Sequence, residues 1–113
     1  MGKFITKILP AGIKFDLRAD NGEIIAVSEV YRTRAACEKG MDSLRRYAPT
    51  APVEDLTEEG AGVANPKFQL YRDKAGFFRF RLRSRNGKII AASEGYTTKA
   101  AALAGIESIR ENV

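Results

Sequence analysis

The sequence predicts an α+β fold. Two tandem β-β-β-α(-β) repeats form one antiparallel sheet of six or seven strands, with both helices on one face and a pseudo-twofold relation between the copies. Three observations carry this. Apolar and polar residues alternate at period two around two Asn-Gly pairs, and an apolar stripe at helical spacing follows each pair. The whole pattern also recurs at an offset of 65 residues, the distance from Gly22 to Gly87.

The alternation is clearest between Phe77 and Ile90. Successive side chains on a strand point to opposite faces, so Phe78, Phe80 and Leu82 are expected on one face and Arg79, Arg81, Arg83 and Arg85 on the other. Asn86-Gly87 suits a two-residue hairpin turn, which would set Lys88 directly opposite Arg85. Superposing the two Asn-Gly pairs lays Phe15 to Tyr31 on Phe80 to Tyr96, and the register continues through Gly40 on Gly105 and Arg45 on Arg110. The strands read as about Phe4 to Leu9, Ile13 to Ala19 and Glu23 to Glu29 in the first copy. In the second they read as Phe68 to Arg72, Phe77 to Ser84 and Lys88 to Glu94.

Thr33 and Thr98 are suited to cap the helices that follow, because their hydroxyls can accept from first-turn amides. Cys37, Met41, Leu44 and Ala48 fall at i, i+4, i+7 and i+11, as do Ala102, Ile106, Ile109 and Val113. These stripes should cover Phe15, Leu17, Ile24 and Ala26, or Phe80, Leu82, Ile89 and Ala91. Gly40 and Gly105 sit in mid-helix, where glycine costs roughly 1 kcal/mol relative to alanine, so their recurrence implies a close approach to the helix backbone. Pro49 to Pro52 ends the first helix, Val53 to Thr57 reads as a short fourth strand, and Glu58 to Pro66 as a linker. The expected organisation is a first repeat over 1–57, a linker over 58–66 and a second repeat over 67–113, sharing one core.

The motifs Lys67-Phe-x-Leu-Tyr-Arg-Asp-Lys-Ala-Gly76, Arg79-Phe-Arg-Leu-Arg83, Asn86-Gly-Lys-Ile-Ile-Ala91, Ser93-Glu-Gly-Tyr96 and Gly105-Ile-Glu-Ser-Ile109 resemble the YegP-like family of uncharacterised bacterial proteins. The first repeat matches from Phe15 through Arg45. The resemblance implies β-β-β-α-β units that share a sheet and exchange their last strands, with Val53 to Thr57 as one such strand. It implies no activity, substrate or catalytic residue.

Composition narrows the chemistry. The chain has 113 residues, no histidine and one cysteine. The usual general base, the usual metal ligand and every Ser-His or Cys-His arrangement are therefore missing. No metal spacing, phosphate loop or nucleotide fingerprint occurs, so no catalytic residue, cofactor or metal is expected. No apolar run approaches the ~18 residues of a spanning helix, and the amino-terminal residues lack a signal-peptide pattern, so a cytoplasmic location is expected. Residues 1–60 carry nine Lys/Arg against ten Asp/Glu, and residues 61–113 carry ten against four. The basic character belongs to the second half, which directs attention to a polyanion partner.

Arg79, Arg81, Arg83, Arg85 and Lys88 are the candidate polyanion-binding residues, since guanidinium groups grip phosphate in a bidentate manner. The bland reading is a solvated sheet face with Arg79 opposing Glu94. Lys14, Asp16, Arg18 and Asp20 occupy the same positions in the first repeat, and this comparison favours the bland reading. The repeated Ser-Glu-x-Tyr at Ser28-Glu29-x-Tyr31 and Ser93-Glu94-x-Tyr96 reads as a structural strand-to-helix junction, and Cys37 as a buried inert thiol. Two function classes follow: a binding module with nucleic acid as first partner, or a carboxylate- or tyrosine-based enzyme with a pocket near Tyr31 and Tyr96. A monomer, or a weak homodimer through the sheet edges, is expected.

Overall fold

Period-two segments pair into strands and the two helical stripes close over them. A computed structural model describes residues 2–113. In chain order the elements are β1 (Lys3–Leu9), β2 (Gly12–Arg18), β3 (Ile24–Ser28), α1 (Arg34–Tyr47), β4 (Val53–Asp55), β5 (Lys67–Arg72), β6 (Phe78–Arg83), β7 (Ile89–Ala92) and α2 (Lys99–Asn112). They build one seven-stranded sheet in the order β1-β2-β3-β7-β6-β5-β4. Two antiparallel meanders meet at its centre, where Val27 stands opposite Ala92 and Ser28 opposite Ala91.

The strand after α1 leaves its own meander and lands beside β5. There Val53, Glu54 and Asp55 pair in parallel with Phe68, Gln69 and Leu70. The sheet is thus antiparallel except at this edge pair. β4 and β5 follow each other in the chain yet run in the same direction, so residues 56–66 return the chain to the start of β5 as a crossover and not as a hairpin. The Phe68 amide donates to the Pro52 carbonyl at 2.8 Å and the Leu56 amide to Leu70 at 2.8 Å.

Both helices lie on one face. α1 packs against β2 and β7, while α2 packs against β6, β5 and β3, so each helix reaches across the central pair. Thr33 and Thr98 cap them as expected, each side chain accepting from the amide three residues on at 3.1 Å. A Thr cap is worth ~1 kcal/mol. Phe15, Leu17, Cys37, Leu44, Phe68, Phe80, Leu82, Ile106 and Ile109 are buried in one continuous core. Full burial of a large apolar side chain contributes roughly 1.5–3 kcal/mol.

The turns differ from expectation. In the second, the Gly87 amide donates to Ser84 at 2.9 Å and the Ser84 amide to Lys88 at 2.8 Å. Gly87 has φ +84°, and among the described residues no non-glycine residue has a positive φ. Both favoured two-residue turns centred on Asn86-Gly87 need a positive φ at Asn86, so the chain forms a three-residue loop of Arg85, Asn86 and Gly87 instead. Ala19, Gly22 and Glu23 repeat the geometry. Ser84, not Arg85, therefore stands opposite Lys88.

The ladder slips beside each turn, between Leu82 and Arg83 and between Leu17 and Arg18. Arg83 pairs with Ile89 while Leu82 pairs with Ala91, leaving Ile90 as the extra residue of a bulge. Ile25 and Ile90 are consequently the buried members of their Ile-Ile pairs, whereas Ile24 and Ile89, expected in the core, are half-buried.

Candidate nucleic-acid interface

Among the described residues no helix covers the second face of the sheet, and β6 presents Arg79, Arg81 and Arg83 there because Phe80 and Leu82 point into the core. Their guanidinium groups are held from one side. Gln69 on β5, directly opposite Arg81, is buried, and its Oε1 accepts from Nε of Arg81 at 2.8 Å and of Arg83 at 2.6 Å. Its Nε2 donates to Glu54 Oε1 at 2.8 Å. Glu54 in turn accepts from the Val63 amide at 2.8 Å and pairs with Lys67 Nζ at 3.0 Å. Bonds from Gln69, Val63 and Lys67 all favour its ionised form and hold its pKa down to about 2.

Arg79 Nε meets Asp73 Oδ2 at 2.6 Å rather than Glu94. Asp73 sits in the β5–β6 turn, where its Oδ1 also accepts from the amides of Ala75 and Phe77. The Arg79 bond and then these amides keep its carboxyl below the usual range. Arg81 lies over the Tyr71 ring, 4.5 Å from its centroid, and Arg83 Nη1 donates to the Gly87 carbonyl at 2.8 Å. Among the described residues, both Nη groups of Arg81 and the Nη2 groups of Arg79 and Arg83 have no hydrogen-bond partner.

The first half of this face is also basic. Asp16 occupies the position of Arg81 but is buried between Lys7 Nζ at 2.9 Å and Lys14 Nζ at 3.1 Å. Burial pushes its carboxyl up, yet the two lysines outweigh burial and hold it below the usual range. Comparing second strands alone hides Lys7, which belongs to β1.

Arg85 and Lys88 leave this face. The loop carries them beside α1, where they line a groove of about 1010 Å³ with Tyr31, Lys39, Ser43 and Tyr47. Tyr96 lines a separate groove of about 450 Å³ with Glu23 and Glu94. Tyr31 and Tyr96 thus line separate grooves, and burial pushes both hydroxyl pKa values up, away from the range useful to a base. The Ser-Glu-x-Tyr segments serve their junctions. Ser28 Oγ accepts from the Phe15 amide and donates to the Glu29 carbonyl, and Ser93 Oγ does the same with Phe80 and Glu94. Cys37 is fully buried, and burial pushes its thiol up as well.

Sequence reasoning missed Gln69, Glu54 and Asp73. Gln69 was within reach of it: between Phe68 and Leu70, period two places its side chain on the arginine face. Glu54 was not, because its role depends on β4 crossing to the second meander.

The fold and this face define a small α+β domain with a helix-free, basic sheet surface. Residues 12–55 and 73–113 match the family described as a domain of unknown function (DUF1508). The chain belongs to that family. It is 35% identical over 94 residues to a UPF0339 protein of Photorhabdus laumondii, spanning 83% of this chain and 70% of that protein. It is 54% identical over 46 residues to a UPF0339 protein of Treponema denticola, spanning 41% of this chain and 79% of that one. The solution structure of Escherichia coli yegP, a protein of unknown function, superposes with a TM-score of 0.80 at 30% identity, covering 98% of this chain and 84% of that chain. The family has no established function, and nothing in these relatives favours an enzyme.

Proposed function

We propose that this chain is a small, non-enzymatic, cytoplasmic binding module that contacts the phosphates of nucleic acid through the helix-free face of its sheet. The observation that carries this reading is the posture of Arg79, Arg81 and Arg83. Each guanidinium is anchored through Nε, by Asp73 or Gln69, and keeps at least its Nη2 group unbonded among the described residues. Anchoring reduces the rotamer entropy lost on binding, and each unbonded Nη group is a charged donor that a phosphate oxygen can take. Arginines at alternate positions of one strand recur about every 6.8 Å, which suits successive phosphates of a polynucleotide. Lys7 and Lys14 extend the positive surface across the first meander.

Titration of labelled single- and double-stranded oligonucleotides at two salt concentrations tests this. Log affinity should fall with log salt by about 0.7 to 0.9 per phosphate neutralised. Arg79→Gln with Arg81→Gln should flatten that slope while circular dichroism reports an intact fold. Equal, weak binding by wild type and variant would remove nucleic acid as the partner.

A further inference from the structure

The groove between α1 and the β6–β7 loop is ringed by cations with no internal task. Lys39, Arg85 and Lys88 are exposed, and among the described residues none makes an ion pair or side-chain hydrogen bond. Arg79, Arg81 and Arg83, by contrast, are all tied to neighbours. The pseudo-twofold partner of this groove supplies an internal control. Subtracting the offset sets Tyr31 against Tyr96 and Gly40 against Gly105, so the aromatic-over-glycine scaffold is common to both. The charges are not common. Ala104 stands where the basic groove has Lys39, Asp20 where it has Arg85, and Glu23 where it has Lys88. A basic rim that the fold required would recur in both halves, and this one does not.

We infer that the groove is a binding site for a small organic anion, a phosphate or carboxylate group carried on an aromatic or alkyl body. Arg85 and Lys88 offer charge-assisted donors from the loop, and Lys39 offers one from α1. Tyr47 and Ile89 supply apolar wall below them, and Ser43 a hydroxyl. A pocket that is mainly apolar with a few convergent polar groups is the usual form of a small-molecule site. Glu29 is the one carboxylate in the lining, and it disfavours a ligand anionic at both ends.

The test is an amide-resolved NMR titration of the whole chain with phenyl phosphate, benzoate and inorganic phosphate. Phenyl phosphate or benzoate should shift the amides of Gly40, Ser43 and Ser84 through Lys88. The one that binds identifies the head group, and it should bind at least about tenfold more tightly than inorganic phosphate. Arg85→Asp with Lys88→Glu copies the residues that the same loop carries in the first half, so the variant keeps a loop geometry this fold already uses. It should weaken binding by about tenfold or more, and Lys39→Ala by less. Shifts confined to the Arg79–Arg83 face, equal affinity for phenyl and inorganic phosphate, or a variant that binds as wild type would each overturn the inference. Arg83 borders both sites, but the nucleic-acid test replaces Arg79 and Arg81, which do not line the groove, so either reading can fail alone.

Discussion

The hydroxyl of Tyr31 occupies the space that a side chain on Gly40 would need. A Cβ built on Gly40 would lie 2.2 Å from Tyr31 Oη, and one on Gly105 would lie 2.6 Å from Tyr96 Oη. Each ring is stacked on a core phenylalanine, Phe15 at 6.4 Å or Phe80 at 6.1 Å between centroids, and cannot slide away freely. This accounts for a glycine in the middle of both helices.

Gly40→Ala should therefore destabilise the protein although alanine is the better helix former. The propensity gain of roughly 1 kcal/mol is opposed by overpacking of about 1–3 kcal/mol, and the backbone cannot yield without moving α1 off the sheet. Tyr31→Phe in the same chain should recover part of the loss, because it removes the closest atom. Urea unfolding of the single and double variants measures both effects. A Gly40→Ala protein more stable than wild type would show that the ring moves at no cost.

Stability should fall on the acid side as Glu54 protonates. Its pKa is about 2 in the fold against an ordinary 4.5, so below about pH 4.5 the unfolded chain binds the extra proton. The contribution of Glu54 is fully present above that pH and is lost as pH drops towards 2. Asp16, Asp55 and Asp73 are also held low and act in the same direction. Glu54→Gln should unfold more readily at pH 7 and show a shallower dependence between pH 4.5 and 2.5 in thermal melts. An unchanged acid slope would mean that the Gln69–Glu54–Lys67 network is not retained in solution.

Residues 66–113 expressed alone should not yield a cooperatively folded monomer. α2 leans on β3, β4 completes the edge beside β5, and Arg110 donates from α2 to the carbonyls of Ala48 at 3.2 Å and Ala51 at 2.6 Å. All of these partners lie in the other half, and a unit of this size would be marginal without them. Recovery of the fragment as a dimer would restore the missing surface. For the whole chain, β1 pairs on one side only among the described residues, with Lys3 and Lys7 along it. Lysines on an edge discourage pairing with a neighbour, so sedimentation at micromolar concentration should show a monomer. A tight dimer would contradict this.

Much of the architecture was legible because it is written in local periods. Alternation at two residues located the six long and middle strands to within a residue or two, spacing at 3.6 located both apolar stripes, and Thr33 and Thr98 announced the helix starts. The Asn-Gly pairs announced turns but not their type, since such a pair suits a two-residue loop with positive φ at Asn or a three-residue loop with positive φ at Gly alone, and the flanking ladder decides between them. That one-residue difference moved Arg85 and Lys88 away from the arginine face and into the groove beside α1.

The sequence by itself determined the secondary elements, the helix-covered face and the basic character of β6, because each depends on residues a few positions apart. Only the tertiary structure decided which guanidinium groups are anchored and which cations stand free. Gln69 reaches Arg81 and Arg83 across a strand pair, Glu54 reaches Gln69 only because β4 is handed to the other meander, and Lys39 meets Arg85 and Lys88 only because α1 crosses onto β7. Charges act through space, and the order of strands in the sheet sets those distances.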